Sequence, residues 1–138
     1  LKRHAFSARL ITKSITTSSK DTLHNSEKFK IGGHQTIRGY PENLYAFTTV
    51  LYYQLEYVFY FNMQGALFIF NDTGIGFANQ FFIDKPKRNL LSGYGIGMRI
   101  PSRLGVISLV WGRNIEDVRS PGRIHVKIIS PLSRKKNW

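Results

Sequence analysis

The chain contains no cysteine, which excludes disulfide staples and thiolate metal sites. Acidic residues are scarce, with 8 Asp and Glu against 20 Lys and Arg, a formal net charge of +12. No run of about 18 apolar residues occurs, so a membrane-spanning helix is excluded. No segment repeats its apolar residues at the helical period either. The four histidines, His4, His24, His34 and His125, are scattered and form no H-x-x-x-H pair, so neither a metal nor another cofactor is expected. Ser, His and Asp occur in no recognisable catalytic order, and no phosphate-binding loop is present, so enzyme activity is not expected.

The basic excess fits a polyanion or anionic lipid as partner. Its distribution says more than its size. Lys and Arg collect in the segments between apolar runs, at residues 13–30, 85–88, 113–123 and 134–136, and form no basic helix. Nucleic acid is therefore not expected. At 138 residues the chain has the length of one domain, and it begins at Leu1 without the apolar core of a signal peptide. It is expected to be a piece of a longer or processed protein.

What the sequence does have is strand-length alternation. Six segments read as strands, at about residues 3–12, 48–61, 66–77, 90–100, 104–112 and 124–129. In the second, Leu51, Tyr53, Leu55, Tyr57, Phe59 and Phe61 share one face, while Gln54 and Glu56 are on the other. In the third, Phe68, Phe70, Asp72, Gly74 and Gly76 share a face. The fourth sets Tyr94, Ile96 and Met98 against Gly93, Gly95, Gly97 and Arg99. The fifth aligns Ile107, Leu109 and Trp111, and the last sets Ile124, Val126 and Ile128 against His125 and Lys127. The connections alternate long, short, long, short, long. Transmembrane β-barrels have this rhythm, together with an outward face rich in aromatic residues. On that pattern Leu51, Tyr53, Leu55, Tyr57, Phe59, Ile107, Leu109 and Trp111 are expected to face lipid. A soluble sandwich or lipocalin-like barrel remains open as the alternative.

Between the first two strands lies Ile31-Gly32-Gly33-His34-Gln35-Thr36-Ile37-Arg38-Gly39-Tyr40. Its glycines permit sharp bends and close packing, and Arg38 carries a guanidinium able to fork onto a carboxylate. Taken alone, the stretch also fits a surface loop with a solvated arginine.

These residues resemble the C-terminal barrel portion of the BamA/TamA family of outer-membrane assembly proteins (the bacterial surface antigen domain), over nearly the whole chain. The family's sixth extracellular loop ends in Arg-Gly-Phe or Arg-Gly-Tyr, matched by Arg38-Gly39-Tyr40. The next two strands carry lumen-facing acids, matched by Gln54-Leu55-Glu56-Tyr57 and by Phe70-Asn71-Asp72-Thr73-Gly74. The segment from Ser92 to Gly97, continuing through Pro101 and Leu104-Gly105, is similar to the following hairpin. Gly122-Arg123-Ile124-His125-Val126 is similar to the closing strand. The family ends on an aromatic soon after that strand, whereas here residues 131–137 intervene before Trp138.

The resemblance implies an all-β, antiparallel up-and-down meander of about six strands, the end of a sixteen-strand transmembrane barrel. Residues 1–138 would be its C-terminal fragment, with 13–47 a long inward-folding extracellular loop and 133–138 a basic tail. It implies that Arg38, with Gly39, Tyr40, Gly32 and Gly33, latches the loop to Glu56 and Asp72, where Gly74 allows close approach. The implied function is folding and inserting client β-barrel proteins into the bacterial outer membrane, with a mitochondrial or plastid outer membrane as the alternative. Expected partners are membrane lipid, unfolded client barrels, accessory lipoproteins and periplasmic POTRA domains upstream. Two other functions are set against it: a two-partner-type secretion pore, and a soluble basic β-domain that binds a polyanion.

Overall fold

Residues 3–15, 24, 26–77 and 90–130 are described by the computed structural model. The period-two segments all become strands, because alternation gives each strand one face that can be covered and one that is left outside. The elements are β1 (His4–Ser14), β2 (Phe29–Ile31), β3 (Tyr45–Phe47), β4 (Thr49–Tyr60), β5 (Ala66–Phe77), β6 (Leu90–Ser102), β7 (Gly105–Asn114) and β8 (Arg123–Ile129). Six of them form one antiparallel sheet in the order β1-β4-β5-β6-β7-β8, a meander interrupted by the small β2-β3 ribbon. No helix occurs among the described residues, and so none is long and apolar enough to cross a membrane. The sheet is open, with β1 and β8 as its edges.

Several strands outrun the apolar alternation that announces them. β1 continues to Ser14 because Lys13 and Ser14 still pair with Val50 and Thr49. β6 runs through Pro101 and Ser102, which pair with Val106 and Gly105, so the β6-β7 turn shrinks to Arg103 and Leu104. The ribbon β2-β3 is an addition to the six expected strands; it pairs Phe29 with Phe47 and Ile31 with Tyr45. The connection at residues 78–89, the tail at 133–138 and part of the 13–47 loop lie outside the described residues.

One face of the sheet is covered by the loop that carries the ribbon. Ile31, Ile37, Tyr40 and Phe47 from that loop pack on Val50, Tyr52 and Leu91 of the wall, and all seven are buried. Fully burying an aliphatic or aromatic side chain contributes roughly 1.5–3 kcal/mol, so this contact is the loop's main apolar anchor. A second cluster, Val58, Ala66, Phe68, Phe70 and Val110, lies on the sheet near the β4-β5 turn. The opposite face is uncovered and apolar: Leu51, Tyr57, Ile69, Ile96 and Trp111 are exposed on it.

Candidate functional site

Strand register prepares the site before the loop arrives. Gln54 pairs with Asp72 and Glu56 with Phe70, so Glu56 and Asp72 are diagonal neighbours on the covered face. Across the next strand boundary, Gly93, Gly95 and Gly97 stand opposite Asp72, Phe70 and Phe68. A Cβ on Gly95 would meet the Phe70 ring at 2.9 Å, and one on Gly97 would meet the Phe68 ring at 2.1 Å. The bare glycine column thus lets both phenyl rings lie over β6.

Onto this floor the loop places Arg38, which is 5% exposed. Its Nε donates to Asp72 Oδ2 and its Nη2 to Asp72 Oδ1, both at 2.7 Å, a two-pronged fork on one carboxylate. Its backbone N–H donates to the same Oδ2 at 3.0 Å. Its Nη1 donates to Glu56 Oε1. The guanidinium carbon stands 4.0 Å from the centre of the Phe70 ring, a cation–π contact beneath the ion pair. Asp72 is fully buried, so Arg38 supplies the positive charge that a carboxylate in that position requires.

Backbone contacts hold the approach. Gly39 has φ +96°, and a Cβ there would meet the Arg113 carbonyl at 2.5 Å. A Cβ on Gly93 would stand 1.7 Å from the Arg38 carbonyl, so the loop backbone rests directly on β6. The Asn114 side chain donates to the Gly39 carbonyl at 2.9 Å, and Gln54 donates to the carbonyls of Gln35 and Thr36 at 3.2 and 2.7 Å. Tyr40 is buried beside the edge that β6 exposes once β7 has ended. Its hydroxyl accepts the Ser92 N–H at 3.1 Å and donates to the Ser92 carbonyl at 3.4 Å. Burial pushes that phenol up to about 12, so it stays protonated and able to donate.

The structure brings Arg38, Gly39 and Tyr40 together with Glu56, Asp72 and Gly74, whereas Gly32 and Gly33 meet Pro41, Leu44 and Glu42 within the loop itself. Gly32 and Gly33 are buried at the turn where the loop doubles back, and Gly74 lies under Ile37. The residues expected to face lipid all lie on the uncovered face. Leu51, Tyr57 and Trp111 are exposed, while Tyr53, Leu55, Phe59, Ile107 and Leu109 are half-buried. That face also carries a polar group: Tyr53 donates to Asn71 at 3.1 Å, and the Thr73 and Ser92 hydroxyls lie 2.8 Å apart.

Arg99 is a site residue on the covered face, whose parity with the β6 glycines is plain in the sequence but which has no expected role there. It donates from Nη2 to Glu56 Oε2 at 2.8 Å and stacks 4.2 Å above Phe68, repeating from the wall what Arg38 does from the loop. Its parity with the β6 glycines was a usable signal, because an inward arginine needs a carboxylate and Glu56 is nearby. The meeting of His34 with His125, at 6.3 Å between ring centres, had no such signal. Those residues are far apart in sequence, and only the loop's path joins them. Among the described residues, no group of three or more His, Cys, Asp and Glu side chains could hold a metal ion. Below the loop, a polar cavity of about 630 Å³ is lined by Arg9, Gln54, Arg99 and Lys127 among others.

No protein-family model matches the chain, and no curated protein matches it either.

Proposed function

We propose that this chain is the C-terminal wall of an outer-membrane β-barrel that folds and inserts client β-barrel proteins, with its long loop latched to the inside of the wall by Arg38. The observation that carries the reading is the buried fork of Arg38 on Asp72 and Glu56. A loop that merely covered a soluble sheet would have no need of a buried ion pair, which an apolar contact replaces at little or no cost in stability. The uncovered apolar face supports the membrane assignment, since a row such as Leu51, Tyr57, Ile69, Ile96 and Trp111 suits lipid better than water. The work would be done by strand edges and membrane deformation, without covalent chemistry, and the two open edges of the sheet are where further strands would pair. A secretion pore of the same architecture is the second reading, favoured by the polar cavity beneath the loop.

The test uses the full-length product in lipid vesicles. The assembly reading expects it to accelerate the folding of an added unfolded β-barrel protein over vesicles alone, and expects Arg38→Asp to lower that rate. No acceleration, with passage of an unfolded exoprotein across the vesicle wall instead, selects the secretion pore. A product that stays in the aqueous fraction and binds a polyanion with steep salt dependence selects the soluble alternative.

A further inference from the structure

His34 follows the Gly32-Gly33 turn of the loop, and His125 lies on β8 with its side chain 9% exposed. Their rings are tilted by 34° at a centroid distance of 6.3 Å. Glu42, from the same loop, links them: its Oε1 accepts the His34 backbone N–H at 2.7 Å and lies 3.7 Å from His125 Nδ1. His34 Nδ1 and His125 Nε2 are buried without a hydrogen-bond partner among the described residues. A neutral imidazole can leave one ring nitrogen bare, but an imidazolium presents two charged donors that both need acceptors.

The surroundings do not supply them. Lys127 on β8 and Arg38 on the loop face His34, while Arg123 on β8 and Arg38 face His125. Glu42 is the acid that faces both rings. Resting on the reading of the loop as a docked latch, we propose that His34, His125 and Glu42 form a second, proton-sensitive anchor, which lets residues 33–36 lift from β8 when the imidazoles become charged. This anchor is separate from the Arg38 fork, because it ties the loop to the last strand of the sheet and not to β4 and β5.

The direction of the pH effect follows from linkage. Burial, and after it Lys127, His125 and Arg38, hold the His34 ring below the ordinary histidine value, with Glu42 opposing. The released loop returns His34 to about 6.5, so release takes up protons. The contact is therefore at full strength above about pH 6.5 and is lost as pH falls below it.

The experiment is a spin-label distance measurement on the full-length protein in lipid, with Gln35→Cys and Arg103→Cys labelled, at pH 7.5 and 5.5. One distance is expected at pH 7.5, with a second, longer population at pH 5.5. The ratio of released to docked loop is expected to rise over that interval, by at most about tenfold for each histidine. Adding Glu42→Gln should move the release midpoint to higher pH, and adding His34→Gln with His125→Gln should abolish the pH dependence. A sheet-only pair, Met63→Cys with Arg103→Cys, should keep one distance at both pH values. An unchanged distribution, a pH response that survives loss of both histidines, or a change in the sheet-only pair overturns the proposal. Arg38→Gln separates the two ideas, since it should release the loop at pH 7.5. If it does not, the latch reading itself fails.

Discussion

When the loop docks, Arg38 loses the hydration of a full positive charge, and Asp72 loses that of a full negative one. Neither loss is tolerable alone in a buried site, so the two groups depend on each other. The geometry reflects that dependence: Asp72 receives the guanidinium fork and the Arg38 backbone N–H together, leaving little of its capacity unused. Glu56 is held differently, because Arg99 contributes to it from the wall and remains there whether or not the loop is docked. Arg38→Ala is therefore expected to cost the docked state about 3–5 kcal/mol, mainly through the orphaned Asp72. The charge-swapped pair Arg38→Asp with Asp72→Arg should recover part of that loss, as measured by urea-induced release of the loop. A swap no better than either single change removes the latch. The sequence already held this pairing as a hypothesis, because Arg-Gly-Tyr and Phe-x-Asp-x-Gly are local motifs and parity set both acids on one face. It could not show that the backbone N–H of Arg38 also reaches Asp72, since that depends on how far the loop sinks.

At the scale of elements, β6 is a strand whose inner face is mostly absent. Gly93, Gly95 and Gly97 make room for different things, and their substitutions should differ accordingly. At Gly97 an added methyl meets the far end of the Phe68 ring, which can turn away. At Gly93 it meets the Arg38 carbonyl, which can yield only if the loop backs out. Gly93→Ala is expected to expose the Arg38–Gly39 bond to trypsin, giving a new cleavage that the parent and Gly97→Ala resist. Equal protection in both variants would show that the loop is not seated on β6. The main strands were legible because ten or so alternating residues form a strong pattern. The ribbon β2-β3 was not, because three-residue strands carry no detectable period and pair only after the loop between them has folded.

At the scale of the whole molecule, the sheet has one face that carries the loop, both buried clusters and the ion pairs, and one uncovered, mainly apolar face. Ile69 and Ile96 pair across β5 and β6 near the middle of that apolar face and are both more than half exposed. In a bilayer, Ile69→Arg should cost roughly 2–4 kcal/mol, since the charge would stand in hydrocarbon. In water the same change at an exposed position should stay within about 0.5 kcal/mol. Unfolding of the full-length protein from lipid vesicles measures the difference, and a negligible cost there would argue against the membrane reading.

Alternation by itself determined the number of main strands, their order along the chain and the two faces of the sheet. These follow from a period of two, which is a local property of the chain. The β2-β3 ribbon, the partnership of Arg99 with Glu56 and the meeting of His34 with His125 were decided by tertiary structure alone. The ribbon and the histidine pair depend on how the loop folds onto the sheet, and the Arg99–Glu56 pair on how β5 brings β6 and β4 side chains together; all are set by packing between residues far apart in sequence.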